Sequence, residues 1–162
     1  MNTTTADFET LLRDAVNRAK ESAPRAVDDL VHCASKAAQA VATVTGGGAT
    51  LELVPVEQQG STTPTYQLQL RKIGSEAPPS DLGIYRVSNA GYPVQRWYSW
   101  ANWEGNVEQP DKEYLSISDL EGNFKWMLSK PESRLVMLVT FFQQQPATQE
   151  KSMRASTPKT KK

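Results

Sequence analysis

Three consecutive glycines, Gly46, Gly47 and Gly48, divide the chain between two hydrophobic rhythms. A fold built from helices alone or strands alone cannot accommodate both. Upstream, Phe8, Leu12, Ala15 and Ala19 recur at steps of four, three and four, and Leu11 and Val16 widen the stripe. This spacing predicts one face of an amphipathic helix, with Thr4 and Asp7 at capping-box spacing before it. Pro24 interrupts the pattern. Proline is poor inside a helix and welcome at its first position, so two helices are expected, about 5–21 and 24–44, meeting at a kink or tight corner. Val27, Leu30, Ala34, Ala37 and Val41 give the second a small-residue face suited to close backbone approach. Gly46 or Gly47 then supplies a C-cap.

Downstream the period falls to two. Leu51 and Leu53, with Val56 near Pro55, mark an edge or bulged strand. Tyr66, Leu68 and Leu70 alternate with Gln67, Gln69 and Arg71, as a strand with one buried and one wet face requires. Residues 83–88 and 92–100 form a second hairpin across Asn89, Ala90 and Gly91. A polar, acidic loop spans 101–113. Ser118 and Glu121 form a capping box for a short helix carrying Leu120, Phe124 and Met127, which Pro131 limits. Arg134 to Phe142 reads as a central strand buried on both faces. The expected class is α+β, in the order α-α-β-β-β-β-α-β. Two N-terminal helices and one C-terminal helix lie on one face of a largely antiparallel sheet of about five strands.

The 162 residues suit one domain, taken as 1–145. Residues 146–162 contain no large aliphatic or aromatic side chain except Met153 and are expected to be a disordered basic tail. Formal charge sums to zero, but the tail holds five basic side chains against one acidic, and the body 13 against 17. A mildly acidic body is not the usual footprint of a nucleic-acid-binding fold. Cys33 is the sole cysteine, so no intramolecular disulfide is available. With no secretory pattern and no apolar run near the ~20 residues of a membrane span, a cytoplasmic protein is expected.

The feature with most functional content is aromatic. Tyr92, Trp97, Tyr98, Trp100 and Trp103 crowd into one short segment. On an extended strand Tyr92, Tyr98 and Trp100 point one way and Trp97 the other, with Trp97 expected beneath the N-terminal helices. Aromatic side chains with polar edges anchor protein interfaces and stack on sugars or bases. Other features carry less. His32 and Cys33 adjoin but diverge on a helix. Glu104, Glu108, Asp111 and Glu113 lack the spacing of a calcium loop and read as a solvated loop, although a cation there stays open. The glycine triplet follows a helix and precedes a strand, the reverse of a phosphate loop.

The sequence therefore points to a non-enzymatic interaction module or adaptor, binding another protein through Tyr92, Tyr98, Trp100 and Trp103. Self-association through the alanine-rich helix, as a two-fold dimer, is a further expectation. One alternative is a nucleic-acid accessory protein using Lys151, Arg154, Lys159, Lys161 and Lys162 with aromatic stacking. A second is a small-molecule or sugar site between sheet and helices. No catalytic set, metal or cofactor is expected.

Overall fold

The computed structural model describes residues 5–145. The expected basic tail, with Lys151, Arg154, Lys159, Lys161 and Lys162, lies outside them. The first element, α1, is a single helix, Thr5–Val44, where Pro24 had suggested two. Proline deletes one backbone bond and crowds the preceding turn. The helix nevertheless continues, because its C-terminal half is pinned: Ala26, Leu30, Cys33, Ala34, Ala37 and Val41 are all buried. The small side chains do admit a close neighbour, but that neighbour is the chain's own core. They are not available to a second copy, contrary to the dimer expected through that face.

Five strands follow, β1 (Ala49–Pro55), β2 (Thr65–Lys72), β3 (Ser80–Ser88), β4 (Gly91–Trp97) and β5 (Lys112–Tyr114). They form an antiparallel meander in sequence order. Register aligns the apolar positions: Leu51 lies opposite Leu70, Leu53 opposite Leu68, Tyr66 opposite Tyr85, and Val87 opposite Val94. The continuous face so formed is covered by α1, α3 (Ile117–Ser129) and α4 (Arg134–Gln144). The opposite face is mostly polar. There Arg71 pairs with Glu52 at 3.7 Å, and Arg86 donates to Gln95 Oε1 at 2.9 and 2.8 Å.

The alternation breaks once, at Leu82 and Gly83. An irregular register between β2 and β3 lets Leu82 and Tyr85 both face the helices while Ile84 faces away. Ile84 joins Trp97 and Trp103 in a second, smaller cluster, capped by the short helix α2 (Trp100–Gly105).

The α+β class and the antiparallel sheet are as the sequence predicts. Three further local expectations are not. Residues 134–142 form the helix α4, not a central strand. Leu135, Leu138, Val139 and Phe142 follow helical spacing and pack on the core, while Met137 and Phe141 face outward. Ser133 caps the helix by accepting from Val136 N–H at 3.2 Å. The fifth strand instead comes from the supposed loop, where Lys112–Tyr114 pairs with β4. The cap of α3 is Ser116, two residues before the expected Ser118. Its hydroxyl accepts from Asp119 N–H, and Asp119 accepts in return from Leu115 N–H. Among the described residues no helix is long and apolar enough to cross a membrane.

Candidate binding groove

The aromatic segment does not form one surface. β4 stops at Trp97, and the chain then turns into α2, capped by Ser99 accepting from Asn102 N–H at 3.0 Å. Asp81 anchors the turn by accepting from Trp100 N–H, and Asp111 by accepting from Tyr98 N–H and Asn102 Nδ2. Trp100 is therefore helical and does not share Tyr98's strand face as the alternation predicts. It packs half-buried against Trp103, with ring centroids 5.0 Å apart. Trp103 is 6% exposed, so it supports the fold and offers no face to a partner. Trp97 is buried on the side away from α1, not beneath it, and donates from Nε1 to the Asn106 carbonyl at 2.7 Å. Tyr92 is half-buried and ties β4 to α1, donating to Asp29 Oδ2 at 2.7 Å. Of the four expected anchors, only Tyr98 presents its ring outward, at 51% exposure.

Tyr98 borders a feature that the aromatic count does not reveal. Between β4, β5 and α3 lies a groove of about 970 Å³, walled by Tyr98, Leu115, Trp126 and Met127 and floored by Arg96. Arg96 is 8% exposed. Its guanidinium carbon sits 5.3 Å from the Tyr85 ring centre and 5.1 Å from that of Tyr98. Nη1 donates to Asn123 Oδ1 at 2.6 Å and Nη2 to the Leu82 carbonyl at 3.2 Å, while Nε has no partner.

Among the described residues no carboxylate forms an ion pair with Arg96. The adjoining phenols do not supply the missing charge either. Burial pushes Tyr85 above the ordinary tyrosine range. Burial, then the neighbouring Tyr85, push Tyr114 up to about 12. Both stay protonated near neutrality. Tyr114 donates to Asn123 Oδ1 at 2.6 Å, and Asn123 Nδ2 donates to Tyr85 at 2.9 Å. Two cation–π contacts and two neutral acceptors offset part of the desolvation of the guanidinium, at about 0.5–2 kcal/mol for each ring. A buried charge without an opposite charge remains costly.

The surroundings add to the imbalance. Register places Lys112 directly opposite Arg96, a like-charge pairing that disfavours the sheet. Arg134 also lines the groove, its Nε donating to the Asp81 carbonyl at 2.8 Å. Against these three cations, Asp119 and Glu113 also line the groove; Asp119 Oδ2 accepts from Leu115 N–H, and Glu113 Oε1 accepts from Gln95 Nε2.

The remaining candidates resolve as follows. Cys33 is buried, and burial, then Glu121 and Asp29, push its thiol up, while His32 is exposed. Glu104 and Glu108 are exposed, and Asp111 serves the Tyr98–Asn102 turn. Among the described residues no three His, Cys, Asp or Glu side chains converge as a metal site. A second hollow, bounded by the 55–66 loop, carries Glu57 as its one charged side chain, and its buried polar side chain, Thr65, already donates to the Thr63 carbonyl at 3.2 Å.

The sequence reading missed Arg96, Lys112, Asn123 and Trp126. A signal was present for Arg96, since Tyr92, Val94, Arg96 and Tyr98 share one strand parity and place a cation on an otherwise apolar face. Trp126 stands off the Leu120, Phe124 and Met127 stripe, which marks it as outward-facing. No protein-family model, curated protein or solved structure matches this chain.

Proposed function

We propose that the protein is a non-enzymatic interaction module whose groove between β4, β5 and α3 captures a carboxylate-bearing segment of a partner protein. One observation carries the reading: a nine-tenths buried arginine, with no counter-ion among the described residues, at the floor of a groove with aromatic walls. A carboxylate entering the groove meets Arg96, Lys112 and Arg134, where charge-assisted hydrogen bonds are shorter and stronger than neutral ones. Neighbouring aliphatic or aromatic side chains of the same segment lie against Tyr98 and Trp126. Arginine, tyrosine and tryptophan are also the residues that dominate binding energy at protein interfaces. Groove volume falls in the range of specific ligand sites, which suits a few residues of peptide better than a folded surface.

Selection from a random-peptide phage library tests this on the full chain. The selected peptides are expected to share an Asp, Glu or free C-terminus beside an apolar residue. Tyr98→Ala, Trp126→Ala and Lys112→Glu should each weaken them by about tenfold or more, while Arg71→Glu on the opposite face leaves affinity unchanged. Peptides lacking an acidic group, or binding indifferent to all three groove variants, would contradict the proposal. So would tighter capture of a labelled single-stranded oligonucleotide that is lost on deleting 146–162, the signature of the nucleic-acid alternative.

A further inference from the structure

From Thr5 to Glu21, α1 runs beyond the sheet that supports its other half. The supporting surface ends at the β3–β4 turn, where Gly91 abuts Ser22 so closely that an added Cβ would lie 2.7 Å from the Ser22 carbonyl oxygen. Upstream of that point no residue of the helix is buried, and the overhang is about 25 Å long. Its outward side chains are not those of a solvated helix. Phe8, Leu11, Leu12 and Val16 are 61%, 60%, 67% and 42% exposed. Phe8 precedes Ala26 by 18 residues, about five turns, and Leu12 precedes Leu30 by the same interval. The bare stripe therefore continues the line that the C-terminal half lays on the core.

We infer that this overhang pairs antiparallel with the same segment of a second copy, forming a two-fold dimer centred between Arg13 and Asp14. Steps of four, three and four between Phe8, Leu12, Ala15 and Ala19 are those of a helix–helix seam. Antiparallel alignment about that centre sets large side chains level with small ones, Phe8 with Ala19 and Leu12 with Ala15. On the flank of the seam that carries Glu9, that carboxylate then faces Lys20 of the second copy, about 3 Å away along the axis. A parallel pair would set like charges level and bring two folded bodies side by side at one end. The antiparallel pair keeps the bodies at opposite ends and opposes the helix dipoles. The 146–162 segment, outside the described residues, holds Met153 as its only large apolar side chain. The overhang carries four acids against three bases, which gives an anionic bilayer no electrostatic attraction.

Sedimentation equilibrium of the full chain tests the dimer. It should be dimeric at tens of micromolar and dissociate on dilution. Leu12→Glu should give a monomer with the thermal midpoint of the body unchanged, because Leu12 touches nothing in its own chain's core. Glu9→Lys alone should weaken dimerisation, and Glu9→Lys with Lys20→Glu should restore it, since each exchanged charge again faces its opposite across the seam. A chain monomeric at the highest concentration reached, a dimer insensitive to Leu12→Glu, or failure of the paired exchange to restore it would each overturn the assignment. Binding of the monomer to anionic phospholipid vesicles through this stripe would overturn it equally. The groove plays no part in these readouts, so this inference and the proposed function stand or fall separately.

Discussion

Alanine in place of Gly83 is expected to destabilise the protein by about 3 kcal/mol, combining positive-φ strain with overpacking. Gly83 has φ 115°, and an added Cβ would lie 2.5 Å from the Trp97 carbonyl oxygen. Tyr98 backbone atoms are also within 3.4 Å. These neighbours are backbone at the end of β4, with no flexible side chain to swing aside. Relief would require moving β3 and β4 apart where Ile84 and Trp97 are fully buried. The same irregularity turns Leu82 toward the helices and puts its carbonyl on Arg96, so the groove should loosen with the fold. Urea unfolding measures the effect, with Gly122→Ala as control. Gly122 is helical with no atom within 4 Å of an added Cβ, so alanine there should be neutral or stabilising by up to about 1 kcal/mol. Equal midpoints for Gly83→Ala and the unaltered chain would refute the account of the bulge.

Asn123→Leu is expected to cost about as much, roughly 3 kcal/mol, for a different reason. Asn123 is the hub of the groove floor. Its Oδ1 accepts from Arg96 Nη1 and from Tyr114, and its Nδ2 donates to Tyr85. Leucine has similar bulk but leaves all three groups short of a partner. Removing one member of a buried polar network costs more than replacing the set, because the survivors bear the desolvation. Part of the loss should therefore be recovered by adding Arg96→Met, which removes the most demanding of those groups. A double-mutant cycle on the four proteins reads this as non-additivity. Strict additivity would mean that Arg96 and Asn123 do not act as a unit.

What the sequence made legible, and what it hid, follows from how local each signal is. Alternation at Tyr66, Leu68 and Leu70 and helical recurrence through Val41 are short-range patterns; the strand forms as read, and the recurrence lies within one helix where two were expected. The 134–142 segment failed because a short continuous apolar run satisfies both periods. Only its packing on the core, through Leu135, Leu138, Val139 and Phe142, distinguishes them. Pro24 gave a sound local signal that tertiary anchoring of the following turns overrode. β5 contains Lys112 and Glu113 in a three-residue strand and gains its identity from β4 alone. The groove was least legible of all. Arg96 and Trp126 lie 30 residues apart in sequence, and the missing counter-ion depends on which way Asp119 and Glu113 turn. Crowded tryptophans drew attention to 97–103, where Trp97 and Trp103 fill a core. The overhang was legible as a helix, but not as a bare one, since its stripe matches that of a helix lying on a sheet.

Arg96→Met puts the central claim to its most direct test when stability and peptide affinity are measured on the same preparation. A charge held in the core for ligand binding, and not for folding, can be replaced by an apolar side chain of similar length with little or no loss of stability. The expected result is a urea midpoint within about 1 kcal/mol of the unaltered protein, together with loss of binding to the acidic peptides selected on the groove. Unfolding of the variant, or unchanged affinity for those peptides, would show that Arg96 serves the fold alone and would contradict the account.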